Sequence, residues 1–423
     1  MRFAVVTFGC RVNQADSLRL EAELCAAGAQ AVPAERAELV IVNTCSVTAT
    51  ADQGARQGIR RLARLNPDAR MVATGCYATR EPGVLASLPG IVRVVPNARK
   101  DELALILSEA SRMTTAERFG SGEGACGATL APGAAGRTAW TLRVQTGCEE
   151  RCAYCIIPRT RGASLSRPVE DILRELDRLA EVGFREVAIV GVHLGSYGRD
   201  LGPPSSLEAL LIAIARRGYP MLFRVGSLEP MECGPGVVDL LSSAGCFAPH
   251  VHLPLQHASD RVLREMRRPY TLDVYRRLVD DIRARLPHAA IGSDVIVGFP
   301  GESEGDCAAM VEYLRASSLT HLHVFPYSDR PGTAAESLPG KVPGAVIRER
   351  ADRVRVVGRE LADAFRRAQV GSVRRALTLE DGTVALTDNY LKLRIPPGRT
   401  RNEWVRVSIV EAGETIQGIV ESR

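Results

Sequence analysis

Along the first 118 residues one pattern recurs: a short unbroken apolar run, a tight turn carrying a cysteine, then a stretch with helical spacing. The runs are residues 3–8, 39–42 and 71–73, followed by Gly9-Cys10, Asn43-Thr44-Cys45 and Thr74-Gly75-Cys76; a fourth, 91–95, precedes Pro96-Asn97. The three cysteines stand 35 and 31 residues apart, close to the roughly 30 residues of a βαβ unit. Apolar runs that do not alternate predict strands covered on both faces, and hence a parallel sheet. Cys10, Cys45 and Cys76 then fall just past the carboxyl ends of parallel strands, the edge where open α/β sheets form their ligand crevice. One cysteine there reads as a small buried hydrophobe; three at equivalent positions favour a shared metal site.

A glycine- and alanine-rich stretch without periodicity, residues 120–137, reads as a flexible linker, and Cys126 inside it as an incidental thiol. A second βα series follows, with strands expected at 141–145, 186–192, 222–225, 250–253, 291–297 and 321–325. After the first of these, Pro168 opens a helix with apolar residues at Val169, Ile172, Leu173, Leu176 and Leu179, and Gly183 ends it. Six βα units fall short of the eight that close a TIM barrel, so the expectation is an open, partial barrel with its chemistry in the loops after the strands. Residues 347–367 predict a helix in which seven arginines oppose four acids, read as a solvated face with local ion pairs or, alternatively, as an RNA-backbone contact. After Gly371, five short strands (373–379, 383–387, 391–395, 404–410, 415–420) and the Asp381-Gly382 turn predict a small β-barrel, a kind that often binds oligonucleotides. The fold class is α/β, divided into 1–118, a linker at 119–137, a barrel at 138–345, a connecting helix at 346–369 and the small barrel at 370–423.

Composition narrows the function classes. With 45% hydrophobic and 24% charged residues the chain is neither disordered nor collagen-like. No apolar run approaches the ~18 residues of a membrane span, and the N-terminal run lacks a small-residue cleavage site, so a cytoplasmic protein with no membrane partner is expected. The net charge of +5 permits an RNA partner without implying one, and the eight basic and seven acidic residues after Gly371 do not change that. Aromatic residues, at 5%, allow only a small stacking platform. Eleven cysteines, an odd number with no export signal, argue for metal binding or redox chemistry over disulfides.

The most informative segment is Gly147-Cys148-Glu149-Glu150-Arg151-Cys152-Ala153-Tyr154-Cys155. Three cysteines within eight residues can wrap one metal centre, and no fourth stands at comparable spacing. Structural zinc wants four protein ligands, whereas a three-cysteine iron–sulfur cluster leaves one iron free for another ligand. Spacings of three and then two residues, with an aromatic before the last cysteine, are the signature of radical S-adenosylmethionine (SAM) enzymes; zinc is the competing reading.

From Cys10 through the C-terminal barrel, the chain resembles the radical-SAM methylthiotransferase family. The resemblance rests on Thr7-Phe8-Gly9-Cys10-Arg11-Val12-Asn13-Gln14, Asn43-Thr44-Cys45-Ser46-Val47-Thr48, the Gly147-to-Cys155 segment with Ile156-Ile157-Pro158, and Asp294 through Gly298-Phe299-Pro300-Gly301-Glu302. It implies a radical SAM barrel, a TRAM-like C-terminal β-barrel, SAM and two 4Fe–4S clusters. Cys148, Cys152 and Cys155 would hold the SAM-cleaving cluster, and Cys10, Cys45 and Cys76 an auxiliary one whose open iron carries the sulfur to be transferred. Gln256 and Ser259 match a family pattern and are candidate SAM contacts, although His257-Ala258 stand where the family usually has Ser-Gly. Glu149 and Glu150 replace the commoner asparagines at non-ligand positions. Tyr154 is expected to pack on the cluster or on adenine, and residues 295–297, Val297 among them, to line the adenine pocket. His193, in a strand-end loop, is the candidate substrate contact. The pairs His250/His252 and His321/His323 each face one side of their strand and read as interior histidines. Cys25, Cys233, Cys246 and Cys307 show no partner pattern.

Arg11-Val12-Asn13-Gln14, Gly191-Val192-His193-Leu194-Gly195-Ser196-Tyr197-Gly198 and Phe325-Pro326-Tyr327-Ser328-Asp329-Arg330-Pro331-Gly332-Thr333 look like the family's tRNA threonylcarbamoyladenosine branch. That branch implies methylthiolation at C2 of N6-L-threonylcarbamoyladenosine at tRNA position 37, with the anticodon stem-loop as partner and unidentified electron and sulfur donors. The alternatives are isopentenyladenosine in tRNA, an aspartate on a ribosomal protein, or a non-enzymatic, zinc-stabilised RNA-binding protein.

Overall fold

The computed structural model describes residues 1–110, 132–133, 138–413 and 415–421. Cys126, most of the 120–137 stretch and the 118/119 boundary lie outside them.

The N-terminal unit is a five-stranded parallel sheet built from β1 (Arg2–Thr7), β2 (Gln30–Ala31), β3 (Leu39–Thr44), β4 (Arg70–Gly75) and β5 (Ile91–Val95), in the order β2-β1-β3-β4-β5. Every residue of β3 is buried, which is why its run does not alternate. On one face Phe3 and Ile41 pack with Leu20, Leu24 and Leu103; on the other, Val40 and Val42 pack with Ala55, Ile59 and Leu85. The two-residue edge strand β2 carries no periodic signal and was not expected.

The second series begins with β6 (Trp140–Arg143), β7 (Gln145–Thr146) and β8 (Leu165–Ser166), then β9 (Glu186–Val190), β10 (Leu222–Val225), β11 (His250–His252), β12 (Ala290–Val297) and β13 (His321–Pro326). Parallel pairing joins β6-β9-β10 and β11-β12-β13. A parallel bridge between Phe223 and Phe247 connects the two triplets, giving a six-stranded open barrel. The strand expected at 141–145 divides: after Val144 the chain leaves the barrel, and Gln145–Thr146 pairs antiparallel with β8, swinging the cysteine loop over the barrel mouth. The helix at Val169–Glu181 buries Ile172, Leu176 and Leu179 as its spacing requires.

A 25-residue helix, Gly344–Ala368, packs along the barrel's open side. Four of its arginines are in ion pairs: Arg350 with Glu302 and Glu304, Arg353 with Glu304, Arg355 with Asp352 and Arg366 with Asp363. It leads to the closed barrel of β14 (Val373–Leu379), β15 (Val384–Thr387), β16 (Lys392–Arg394), β17 (Trp404–Ala412) and β18 (Ile416–Val420), ordered β14-β15-β16-β18-β17. Among the described residues no helix is long and apolar enough to cross a membrane.

The three units interlock. The helix Arg11–Ala26 lays Val12 and Ala15 against Ala188 and Val190 of β9. One turn further, Asp16 is fully enclosed and meets three cations: Lys100 of its own unit at 2.9 Å, and Arg161 at 3.1 Å and Arg143 from the barrel. Burial alone would raise its carboxyl, yet Lys100, Arg161 and Arg143 hold it far below the usual carboxylate range. At the barrel's foot, buried Arg224 pairs with Glu186 at 2.9 Å and donates to the carbonyls of Thr387 and Asp388 in the C-terminal barrel. Removing the charge of Asp16 leaves enclosed Lys100 and Arg161 without a carboxylate, while Arg143 keeps Asp101 at 3.1 Å, so Asp16→Asn is expected to cost about 3–5 kcal/mol by denaturant titration. A loss below about 1 kcal/mol, the range of an exposed pair, would contradict the hub.

Candidate metal centres and the cavity between them

The cysteine loop of the barrel depends on glycine at its start. Gly147 has φ +73, and a Cβ there would lie 1.7 Å from the Ala163 carbonyl oxygen. Cys148 N–H donates to the Gly162 carbonyl, Cys155 N–H to that of Cys152, and Ala153 N–H to that of Met266, so the backbone curls and turns its thiols inward. Burial raises the Cys152 thiol and pushes Cys155 up to about 12, and each of the three cysteines would disfavour ionisation of another. Thiolates here need a positive centre among them.

Both outer thiols meet cations. Arg268 donates to Cys152 Sγ at 3.1 Å and is paired with Glu229. His193 Nδ1 lies 3.7 Å from Cys148 Sγ, and its Nε2 lies 2.8 Å from Glu232. Burial would lower the His193 pKa, but Cys148 and Glu232 push it up to about 10. Gly195 permits this approach, because a Cβ there would fall 1.9 Å from Glu232 Oε2. Both carboxylates come from one loop following β10.

The second triad forms where the strand ends put it. Cys10, Cys45 and Cys76 follow β1, β3 and β4, with Cys45 and Cys76 buried and Cys10 exposed. Gly9, at φ +94, comes so close that a Cβ would sit 2.6 Å from Cys45 Sγ. Burial first, then proximity to Cys10 and Cys76, pushes Cys45 up to about 11. Asn97 Nδ2 donates to Cys76 Sγ at 3.5 Å, and Arg161 of the Asp16 hub also donates to Cys76, with Cys10 near enough to act on it through space. In neither triad do all three sulfurs lie within 4.8 Å of one another, whereas sulfurs on one tetrahedral zinc stand about 3.8 Å apart, from Zn–S bonds of about 2.3 Å; neither triad is set at zinc spacing.

Between the two lies a cavity of about 180 Å³. Cys155 and Tyr154 line it from the barrel loop, Val47 and Thr48 from the turn after Cys45, and Gln256, Asp294 and Ile296 from the strand ends. Tyr154 and Gln256, the candidate SAM contacts, both line this cavity, and Gln256 has an unusual φ of +64. Val297 is enclosed in the core, while its neighbour Ile296 faces the cavity. Ser259 donates its hydroxyl to Asp306 at 2.7 Å and is not among the lining residues. His193 is 5% exposed and turned towards Cys148, not towards an open substrate surface. Sequence reading missed Arg268, Glu229, Glu232 and Asn97, whose roles come from contacts no spacing reveals.

Residues 142–314 match the radical SAM superfamily, and residues 2–96 match a family described as uncharacterized protein family UPF0004. The threonylcarbamoyladenosine tRNA methylthiotransferase MtaB of Aquifex aeolicus is 36% identical over 97% of this chain and 100% of its own length. The ribosomal protein uS12 methylthiotransferase RimO of Acidothermus cellulolyticus is 36% identical over 87% of this chain and 82% of that one. A tRNA-2-methylthio-N(6)-dimethylallyladenosine synthase of a Parafrankia strain is 34% identical over 87% and 76%. Among solved structures, the radical SAM methyltransferase TsrM of Kitasatospora setae, seen with cobalamin and a [4Fe-4S] cluster, shares the fold at a TM-score of 0.55 and 20% identity, covering 79% of this chain and 77% of that one. The chain thus belongs to the radical-SAM methylthiotransferase family, as a sulfur-transferring enzyme that uses S-adenosylmethionine and a 4Fe–4S cluster.

Proposed function

We propose that this enzyme adds a methylthio group to C2 of N6-L-threonylcarbamoyladenosine at position 37 of tRNA, with two 4Fe–4S clusters. The observation that carries the reading is the cavity lined by Cys155 on one side and by the turn after Cys45 on the other. In this reading Cys148, Cys152 and Cys155 hold the SAM-binding cluster, and Cys10, Cys45 and Cys76 hold the second. When bound, the clusters and SAM supply the electron, the radical and the sulfur that polar side chains cannot. The chain's own part is to position and to exclude water. Tyr154, Gln256 and the backbone at Ile296 and Val297 frame the SAM side, and Val47 and Thr48 close the opposite wall. Similarity to the Aquifex MtaB along its full length supports the threonylcarbamoyladenosine substrate; the equal identity of the uS12 relative, over a smaller share, supports a ribosomal-protein aspartate as the second reading. The closed C-terminal barrel is assigned to the anticodon stem-loop, and the electron and sulfur donors come from outside the chain.

Nucleosides from a strain lacking this enzyme should contain threonylcarbamoyladenosine without its 2-methylthio derivative by mass spectrometry. Persistence of the derivative, with no second such enzyme present, contradicts the substrate. Cys45→Ala should halve the iron, from about eight to about four per chain, and abolish methylthiolation while SAM cleavage continues; methylthiolated product from that variant would remove the second cluster from the account. Hydrogen bonds to cluster sulfurs favour the reduced, more negative state. Arg268→Gln and His193→Gln should therefore lower the potential of the SAM-binding cluster in an EPR-monitored titration, with iron content unchanged. An unchanged potential would reduce both residues to packing.

A further inference from the structure

Deeper in the barrel than the cysteines, the inward positions of β11, β12 and β13 collect polar side chains that the cluster chemistry leaves unused. The register pairs His252 with Gly292, Gly292 with His321, and Asp294 with His323, so these residues share one face of the sheet. Gly292 makes the room: a Cβ there would stand 2.1 Å from His321 Nε2 and 2.8 Å from His252 Nδ1. Into that space His252 directs Nε2 to within 2.9 Å of Asp294 Oδ1, and His323 directs Nδ1 to within 3.0 Å of the same oxygen. The two rings lie 5.1 Å apart at 29°. Among the described residues this is the one set of His, Cys, Asp or Glu whose three ligand atoms all fall within 4.8 Å of one another.

Donors on a tetrahedral cation with bonds of about 2.0–2.1 Å stand about 3.3 Å apart. The two His–Asp separations would open by only a few tenths of an ångström to admit one. Two imidazoles and a carboxylate are a donor set for a borderline divalent transition metal, not for the oxygen-seeking Mg²⁺ or Ca²⁺. One side of the set is open: the His323 side chain is 58% exposed, and Asp294 also lines the cavity between the cysteine triads. Behind it the lumen is closed, by His250, whose buried Nδ1 has no hydrogen-bond partner, and by the ring of Tyr390, 4.6 Å from His250. The alternative is a purely hydrogen-bonded group, in which both imidazoles carry a proton towards Asp294 and no ion enters.

We propose that His252, Asp294 and His323 form a third metal site, for a single Zn²⁺-like cation, separate from both cysteine triads. Its remaining coordination position faces the cavity and falls to water or to an oxygen of the molecule that enters there.

The test uses the full-length enzyme with its clusters reconstituted, so that the six cluster thiolates are occupied by iron. Equilibrium dialysis against Zn²⁺ should find one bound ion per chain, and zinc-edge X-ray absorption should show nitrogen and oxygen neighbours at about 2.0–2.1 Å without sulfur at about 2.3 Å. His323→Ala, at an exposed position, should weaken the affinity at least tenfold, since losing even an outer partner of a ligand costs roughly that much. Asp294→Asn should do the same, and His321→Ala should retain the ion. No tight zinc, sulfur around the zinc, or binding indifferent to His323→Ala would each overturn the proposal. Cluster iron and sulfide, measured on the same samples, report on the cysteine assignment separately.

Discussion

Asp16 is enclosed where the N-terminal sheet meets the barrel, and its charge is balanced only by Lys100 from its own unit and by Arg143 and Arg161 from the other. A lone carboxylate at such a place would not stay ionised, and Lys100 and Arg161 without it would be buried with no counter-charge, whereas Arg143 also pairs with Asp101. The arrangement is stable only when both units are docked in one orientation. Arg161 extends the constraint to the second triad, because the same guanidinium that meets Asp16 also meets Asn13 and donates to Cys76. The strand ends of the N-terminal sheet are thereby held opposite the barrel's strand ends, with the cavity between.

Each triad then solves the same electrostatic problem in its own way. Cys45 in one triad and Cys152 and Cys155 in the other resist ionisation, first through burial and then through the neighbouring cysteines. A positive inorganic centre relieves that, and the protein adds donors at the edges: Arg268 on Cys152, His193 beside Cys148 and Asn97 on Cys76. The loop after β10 anchors two of these donors through Glu229 and Glu232. One short segment thus sets the electrostatics beside both Cys148 and Cys152.

What the sequence disclosed follows from how each signal is encoded. Strand runs, the cysteines after them and the Cys148-to-Cys155 spacing are local, so the fold class and the strand-end positions of Cys10, Cys45 and Cys76 could be read directly. The Asp16 hub could not, because its partners lie 84, 127 and 145 residues away. The helix Arg11–Ala26 also buries Asn13, Asp16 and Ser17, which a hydrophobic pattern assigns to solvent. His193 was expected at an exposed strand-end loop, and the carboxylate that draws it inwards, Glu232, belongs to a different strand end. Similarly, the alternation of His250/His252 and His321/His323 put each pair on one side of its strand, but only the register with Asp294 brings buried His252 and exposed His323 onto one oxygen.

Anaerobic crystals of the intact enzyme, with anomalous diffraction recorded at the iron edge, would address the two-centre arrangement most directly. The account predicts two separate iron peaks facing each other across the cavity, one among Cys10, Cys45 and Cys76 and one among Cys148, Cys152 and Cys155. A single peak at the barrel loop, with the thiols of the N-terminal sheet free of iron, would contradict it.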